Sequence, residues 1–160
     1  MNRLWQKTAV LLATGFGLGC SPVASGTVGT LPGVVLAFMM AWLGWSWPLQ
    51  ACAALAMTLL AIPVCGAAEK VFGKKDDGRI VADEYLTFPI CLLGLPWLQH
   101  LWLLPVAFVV ARLLDVVKPF PARQSQRVRG GVGIVVDDFI STLYALALNH
   151  LVWWGAQRVM

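Results

Sequence analysis

Polar and apolar positions in this chain fall into long blocks. There is no Asp, Glu, Lys or Arg between residues 8 and 68, and none between 85 and 111. The charges are packed into two blocks, 69–84 and 112–138, with only Arg3, Lys7 and Arg158 outside them. A membrane-crossing helix needs about 17–25 mostly apolar residues. Segments 31–47 and 49–68 reach that length and are divided at Trp47-Pro48. Segment 139–154, extended back through Ile134-Val135-Val136, gives a third. Segment 85–117 is interrupted by Gly94, Pro96 and His100. It holds either two short tilted crossings or one crossing plus a re-entrant piece.

The pattern predicts an all-α, polytopic integral membrane bundle of about four to five crossing or re-entrant helices, with polar loops at the cytoplasmic face. Residues 1–160 form one membrane-embedded domain. Its expected parts are an interfacial or re-entrant polar segment (1–30), a helical hairpin (31–68), a cytoplasmic loop (69–84), a second helical pair (85–117), a second cytoplasmic loop (118–133) and a last helix (134–156).

Composition agrees: 59% of residues are hydrophobic and 12% charged, half the roughly 25% usual in soluble domains. Mean hydropathy is +0.74. That excludes a cytosolic enzyme, a disordered chain and a secreted disulfide scaffold. The net charge of +4 is too small and too localised for a nucleic-acid binder. The natural surroundings are an anionic lipid bilayer. Cys20, Cys52, Cys65 and Cys91 stand singly in apolar sequence and read as small buried hydrophobes. Arg3, Lys7 and Cys20 superficially resemble a lipoprotein signal. Glycines at 15, 17 and 19 weaken the apolar helix such a signal needs.

The positive-inside rule orients the chain. The basic segments 3–7, 70–79 and 118–129 should all face the cytoplasm, so an even number of crossings separates each pair. Interfacial tryptophans give an independent marker. Trp42, Trp45, Trp47, Trp97, Trp102, Trp153 and Trp154 then fall at the far ends of the helices, and only Trp5 on the basic side.

Asp83-Glu84 stands where one apolar segment starts, Asp115 where it ends, and Asp137-Asp138 where the last begins. Ionised groups at membrane depth cost at least ~2.5–3.5 kcal/mol at a helix centre and usually mark function. A helix start accounts for Asp137-Asp138 through the macrodipole, and an i,i+3 ladder with Arg112 and Lys118 accounts for Asp115. Three acidic sites at one interface argue for a shared site instead. Carboxylate oxygens select hard cations such as Mg²⁺, which takes few protein ligands together with substrate phosphate oxygens. His100 and His150 lie apart in the opposite half, so a zinc site is unsupported.

Two further ingredients accompany the acids. Glycine-rich stretches at 15–19, 26–29 and 130–133 provide either close helix packing or backbone N–H groups for an anion. For 15–19 packing is the simpler reading. Residues 25–30, with Thr27 and Thr30, read as a loop in a polar site. Arg112 and Lys118 suit phosphate recognition, whereas Lys70, Lys74, Lys75, Arg123 and Arg127 suit anionic head groups. Together these indicate metal-assisted chemistry on a lipid phosphate. A phosphatase, a phosphotransferase and a structural metal site all remain open on these grounds.

Four motifs then carry a resemblance: Gly15-Phe16-Gly17-Leu18-Gly19 with Ser21-Pro22 and Gly26-Thr27-Val28-Gly29; Ile80-Val81-Ala82-Asp83-Glu84-Tyr85; Arg112-Leu113-Leu114-Asp115-Val116-Val117-Lys118-Pro119-Phe120-Pro121; and Gly130-Gly131-Val132-Gly133-Ile134-Val135-Val136-Asp137-Asp138. In this order and spacing the chain resembles the bacterial phosphatidylglycerophosphatase A family over nearly its full length. The resemblance implies a Mg²⁺-dependent inner-membrane enzyme that hydrolyses phosphatidylglycerophosphate to phosphatidylglycerol and phosphate. It departs from the family pattern at Ser25, Thr87 and Ser141-Thr142, positions expected to bear on helix packing and fine substrate choice.

The expected site follows. Asp83, Glu84, Asp115, Asp137 and Asp138 hold Mg²⁺ and carry the catalysis. Arg112, Lys118, Thr27, Thr30, Gly130 and Gly131 bind the substrate phosphate. Among rivals, a CDP-alcohol phosphatidyltransferase needs an acidic motif that is absent, and a histidine-nucleophile lipid phosphatase needs a His beside an Arg-rich motif. A non-catalytic cation-binding subunit or carrier needs a continuous polar path through the membrane.

Overall fold

The computed structural model describes residues 2–159. Among them are seven α-helices and no strand: α1 (Arg3–Ala13), α2 (Ser25–Trp42), α3 (Trp47–Phe72), α4 (Ala82–Thr87), α5 (Leu103–Val117), α6 (Ala122–Ser125) and α7 (Gly131–Ala156). Short 3₁₀ turns occur at Leu18–Cys20 and Phe88–Leu92. The all-α membrane bundle is therefore the fold, and α2, α3 and α7 are long and apolar enough to cross a bilayer.

Local chemistry sets the helix limits. Pro48 lies in the first turn of α3, where its missing N–H costs nothing. At the other end Gly73 takes the left-handed conformation (φ 67°) and donates its N–H to Glu69 O at 2.9 Å. Glu69 and Lys70 consequently belong to α3, not to the expected loop.

Segment 85–117 contains one 15-residue helix, α5, rather than two equal crossings. Its first half is the end of six-residue α4 followed by a 3₁₀ turn. Pro89, Gly94 and Pro96 interrupt any longer helix there. At 15 residues α5 is shorter than the roughly 17–25 of a full span, and it is not among the helices long and apolar enough to cross.

Residues 25–30 are helical and not a loop, so α2 begins six positions before Leu31. The glycines there allow close packing. A Cβ on Gly29 would lie 2.5 Å from Val81 Cβ, and one on Gly33 would lie 2.5 Å from Tyr85 O. In the same way Gly19 abuts the Arg79 carbonyl, so the packing reading of 15–19 holds at Gly19, whereas a Cβ on Gly17 (φ 96°) would meet nothing within 4 Å. Val81 N–H donates to Ala13 O at 2.8 Å and the Tyr85 hydroxyl to Leu12 O at 2.9 Å, which ties α4 to α1.

Small side chains line the interior and large ones the exterior, as expected where lipid is the solvent. On α3, Ala54, Thr58, Ala61, Cys65 and Ala68 are buried, while Leu55, Leu59 and Leu60 are exposed. Cys65 and Cys91 are buried, but Cys20 and Cys52 are exposed, contrary to the reading of all four as buried. Cys52 stands on the outer, apolar surface, where a small thiol is as acceptable as a methyl group.

The two ends of the bundle differ. Trp97, Trp102 and Trp153 collect at one: Trp153 lies 4.5 Å from the His100 ring and 6.4 Å from Trp102, and Phe38 lies 6.3 Å from Trp97. The charged loops meet at the other, where Lys75 donates to Gln126 O at 2.7 Å.

Candidate active site

The starts of α2, α4 and α7 and the ends of α3 and α5 converge at the charged end. Three helix N-termini there favour negative charge. Between them lies a cleft lined by Thr30, Glu84, Thr87, Arg112, Asp115, Asp138, Ser141 and Thr142, with Phe88 and Ala111.

Two clusters share its wall. In the first, Arg112 Nη1 donates to Glu84 Oε2 at 2.5 Å and forms an ion pair with Asp115 Oδ2 at 3.0 Å. The Thr30 hydroxyl lies 2.8 Å from both Glu84 Oε2 and Gly26 O, and donates to one of them at a time. Gly26 makes this approach possible, because its Cβ would sit 2.5 Å from both Arg112 Nη2 and Glu84 Oε1. In the second, Lys118 Nζ bonds to Asp137 Oδ2 and stands 3.5 Å from Asp115 Oδ1 and 3.6 Å from Asp138 Oδ1. Asp115 belongs to both, so the predicted i,i+3 ladder exists and also joins the clusters.

The electrostatics are those of an acidic site with too few cations. Asp83 is buried on α4, and its carboxyl is pushed well above the usual range, first by burial and then by Glu84, Asp76, Asp115 and Asp137. Glu84 is pushed up to about 7 because burial outweighs the Arg112 guanidinium. Burial alone would lower the Lys118 ammonium, but Asp138, Asp137 and Asp115 outweigh it and hold it above its ordinary value.

Five of the expected site residues are thus brought together as carboxylates, and Arg112, Lys118 and Thr30 join them. Thr27 and the glycine pair are placed differently. Thr27 is exposed and not among the cleft-lining residues. Gly131 is buried against the α3 backbone: a Cβ there would overlap Ile62 O and lie 2.7 Å from Gly66 N. Its smallness serves the α3–α7 contact. Gly130, at φ 80°, makes the turn before it.

Thr87, Ser141 and Thr142, positions expected to bear on helix packing and fine substrate choice, also line the cleft. Thr142 Oγ1 lies 3.3 Å from Thr87 Oγ1 and 2.6 Å from Asp138 O. The signal was legible: Ser141 and Thr142 follow Asp138 by three and four positions, hence on one helix face. Asp76 reaches the cluster by its charge alone, from a loop whose left-handed φ of 48° no sequence pattern announced.

The donor set suits a hard cation. Among the described residues no three His, Cys, Asp or Glu side chains form a ready-made cage. Mg²⁺ does not require one, since it usually retains waters and takes one or two carboxylates. Asp83 Oδ1 and Asp137 Oδ1 are buried without a hydrogen-bond partner, as are Arg112 Nε and Ser141 Oγ. Unpaired acid oxygens are the complement of a cation, and an unpaired guanidinium N–H that of an anion.

Deeper in the bundle the polar character stops. Ala145, Phe88, Leu92 and Leu103 fill the space beneath the cleft. Asn149 donates to Cys91 O at 3.0 Å and His150 Nε2 lies 2.9 Å from Leu93 O, both remote from the acids. Among the described residues there is no continuous polar path of the kind a cation carrier needs.

The family profile of phosphatidylglycerophosphatase A matches residues 11–153. Phosphatidylglycerophosphatase A of Escherichia coli K12 is 34% identical over 95% of this chain and 85% of its own length. Phosphatidylglycerophosphatase A of Haemophilus influenzae is 36% identical over 85% and 83% respectively. A protein of Bacteroides thetaiotaomicron named "Putative phosphatidylinositol-3-phosphatase" is 33% identical over 91% and 93%. No solved structure matches. All four resembling motifs fall within the matched range, and the charged cleft is built from three of them. The chain belongs to the phosphatidylglycerophosphatase A family and is a membrane-embedded phosphatase, a hydrolase of phosphoric monoesters.

Proposed function

We propose that this phosphatase hydrolyses phosphatidylglycerophosphate to phosphatidylglycerol and inorganic phosphate, with Mg²⁺, at the cytoplasmic face of the inner membrane. The observation that carries this reading is the pairing of an acid cluster with a half-satisfied guanidinium in one cleft at the charged end of the bundle. The named relatives from Escherichia coli and Haemophilus influenzae support the substrate. The basic segments gathered at the cleft end support the cytoplasmic side.

Asp83, Asp137 and Asp138 would hold Mg²⁺, since two of the three have oxygens with no other partner. When bound, Mg²⁺ supplies neutralisation of phosphate charge and polarisation of the phosphoryl group. Arg112 directs its free Nε–H at the phosphate while Glu84 and Asp115 hold the guanidinium in orientation. Lys118 and Thr30 add further donors. Glu84, with a carboxyl near neutrality, is suited to orient a water and take its proton. The glycerol and acyl chains remain among the outward apolar side chains.

The test is phosphate release by the purified protein from phosphatidylglycerophosphate, with and without Mg²⁺. Phosphatidic acid, lysophosphatidic acid and phosphatidylinositol 3-phosphate serve as competing substrates, the last because of the Bacteroides relative's name. Preference for phosphatidylglycerophosphate with loss of activity in EDTA is the expected result. Equal turnover of all four lipids overturns the substrate, and full activity in EDTA overturns the metal.

A further inference from the structure

Lys118 stands where a cation belongs. Its ammonium touches Asp137 and lies within 3.6 Å of both Asp115 and Asp138. Asp137 and Asp138 side chains are only 2% and 5% exposed, and the Lys118 ammonium is the cation that stands against both. The Lys118 backbone adopts the left-handed conformation (φ 48°), uncommon outside glycine, directly at the end of α5 and before Pro119. That conformation is held while the side chain lies across the start of α7.

We infer that Lys118 is the resident counter-ion of the metal seat: in the metal-free protein its ammonium lies against Asp137 and Asp138, two of the three carboxylates assigned to the metal, and beside Asp115, and metal loading displaces it toward the substrate phosphate. The inference rests on the metal reading above. A lysine ammonium is a compact point charge on a flexible stem, able to take either position. It supplies one positive charge and leaves Asp83 Oδ1 and Asp137 Oδ1 unpaired, so a divalent cation held by Asp83, Asp137 and Asp138 outcompetes it. Because Asp115 also binds Arg112 at 3.0 Å, the released ammonium emerges beside the guanidinium that faces the phosphate. Lys118 thereby couples the two sites: metal first, then an additional cation for the phosphate.

The experiment uses the intact wild-type protein in detergent. An amine-reactive ester labels it with and without Mg²⁺, and mass spectrometry reads Lys118 against Lys70, Lys74 and Lys75 as internal references. Binding of Mn²⁺ is followed in parallel by electron paramagnetic resonance. The expected result is Mn²⁺ binding together with roughly tenfold faster labelling of Lys118 on Mg²⁺ addition, the reference lysines unchanged. Mn²⁺ binding with Lys118 labelling unchanged or slowed overturns this inference alone. No Mn²⁺ binding overturns the metal reading and the inference with it.

Discussion

Arg112 and Glu84, 28 positions apart, meet at 2.5 Å where the end of α5 comes level with the start of α4. The short first arm and the longer return helix of segment 85–117 bring their charged ends to one height. Arg112 then spans Glu84 and Asp115 with one nitrogen and leaves its Nε–H unpaired. Replacing it with Lys removes the planar fork and its second donor, though not the charge. Arg112→Lys should lower kcat/KM for phosphate release at least about 100-fold, with Arg112→Ala lower still. Near-normal kinetics in the Lys variant would contradict a phosphate role for the guanidinium.

Gly26 leaves room for that pair as it stands. A methyl group there meets Arg112 Nη2 and Glu84 Oε1 at 2.5 Å each. Gly26→Ala should therefore separate the pair and cut activity by tens of fold. Helix content should hold, because alanine favours the α2 backbone by about 1 kcal/mol over glycine. Circular dichroism and phosphate release together check this.

Asp137→Asn and Asp138→Asn keep shape while removing charge at the start of α7. Each should abolish Mg²⁺-dependent phosphate release, by about 1,000-fold or more, with membrane insertion unaltered. Full activity in both variants would refute the metal assignment.

Glu84 gives the site a pH signature in the absence of metal. Its carboxyl is raised from 4.5 to about 7. Between these values the native protein holds a proton that the unfolded chain has released, so stability falls as pH rises through this window and levels off above it. The sign is opposite to that of Asp77, whose carboxyl is lowered by the Arg79 hydrogen bond at 2.8 Å and whose stabilisation is lost only on acidification. Thermal unfolding in EDTA, compared between wild type and Glu84→Gln, should show a gap that closes or reverses from acid to neutral pH. The full excursion is at most about 3 kcal/mol. Identical pH profiles would exclude the raised carboxyl.

Much of the site was readable because charge is so scarce in this chain. Carboxylates bordering apolar sequence stand out, and Asp83, Glu84, Asp115, Asp137 and Asp138 were found that way. The glycines were harder. Glycine at 26, 29, 33 and 131 reports equally a loop, an anion nest or two helices in close contact. Only the neighbours select among these: Val81 for Gly29, Tyr85 for Gly33 and Ile62 for Gly131 mark close contact, whereas Gly26 faces the Arg112 and Glu84 side chains. Ser141 and Thr142 have hydroxyls that suit either a helix contact or a cleft wall.

What the sequence determined by itself was the membrane class, the motifs and the end of the bundle at which chemistry collects. These follow from hydropathy and charge, which are properties of each residue and its chain neighbours. What only the tertiary structure decided was the partnering: Arg112 with Glu84, Lys118 with Asp137, and Gly131 with the backbone of α3. Those contacts join positions tens of residues apart. Their distances depend on how α4, α5 and α7 pack, which no local pattern encodes.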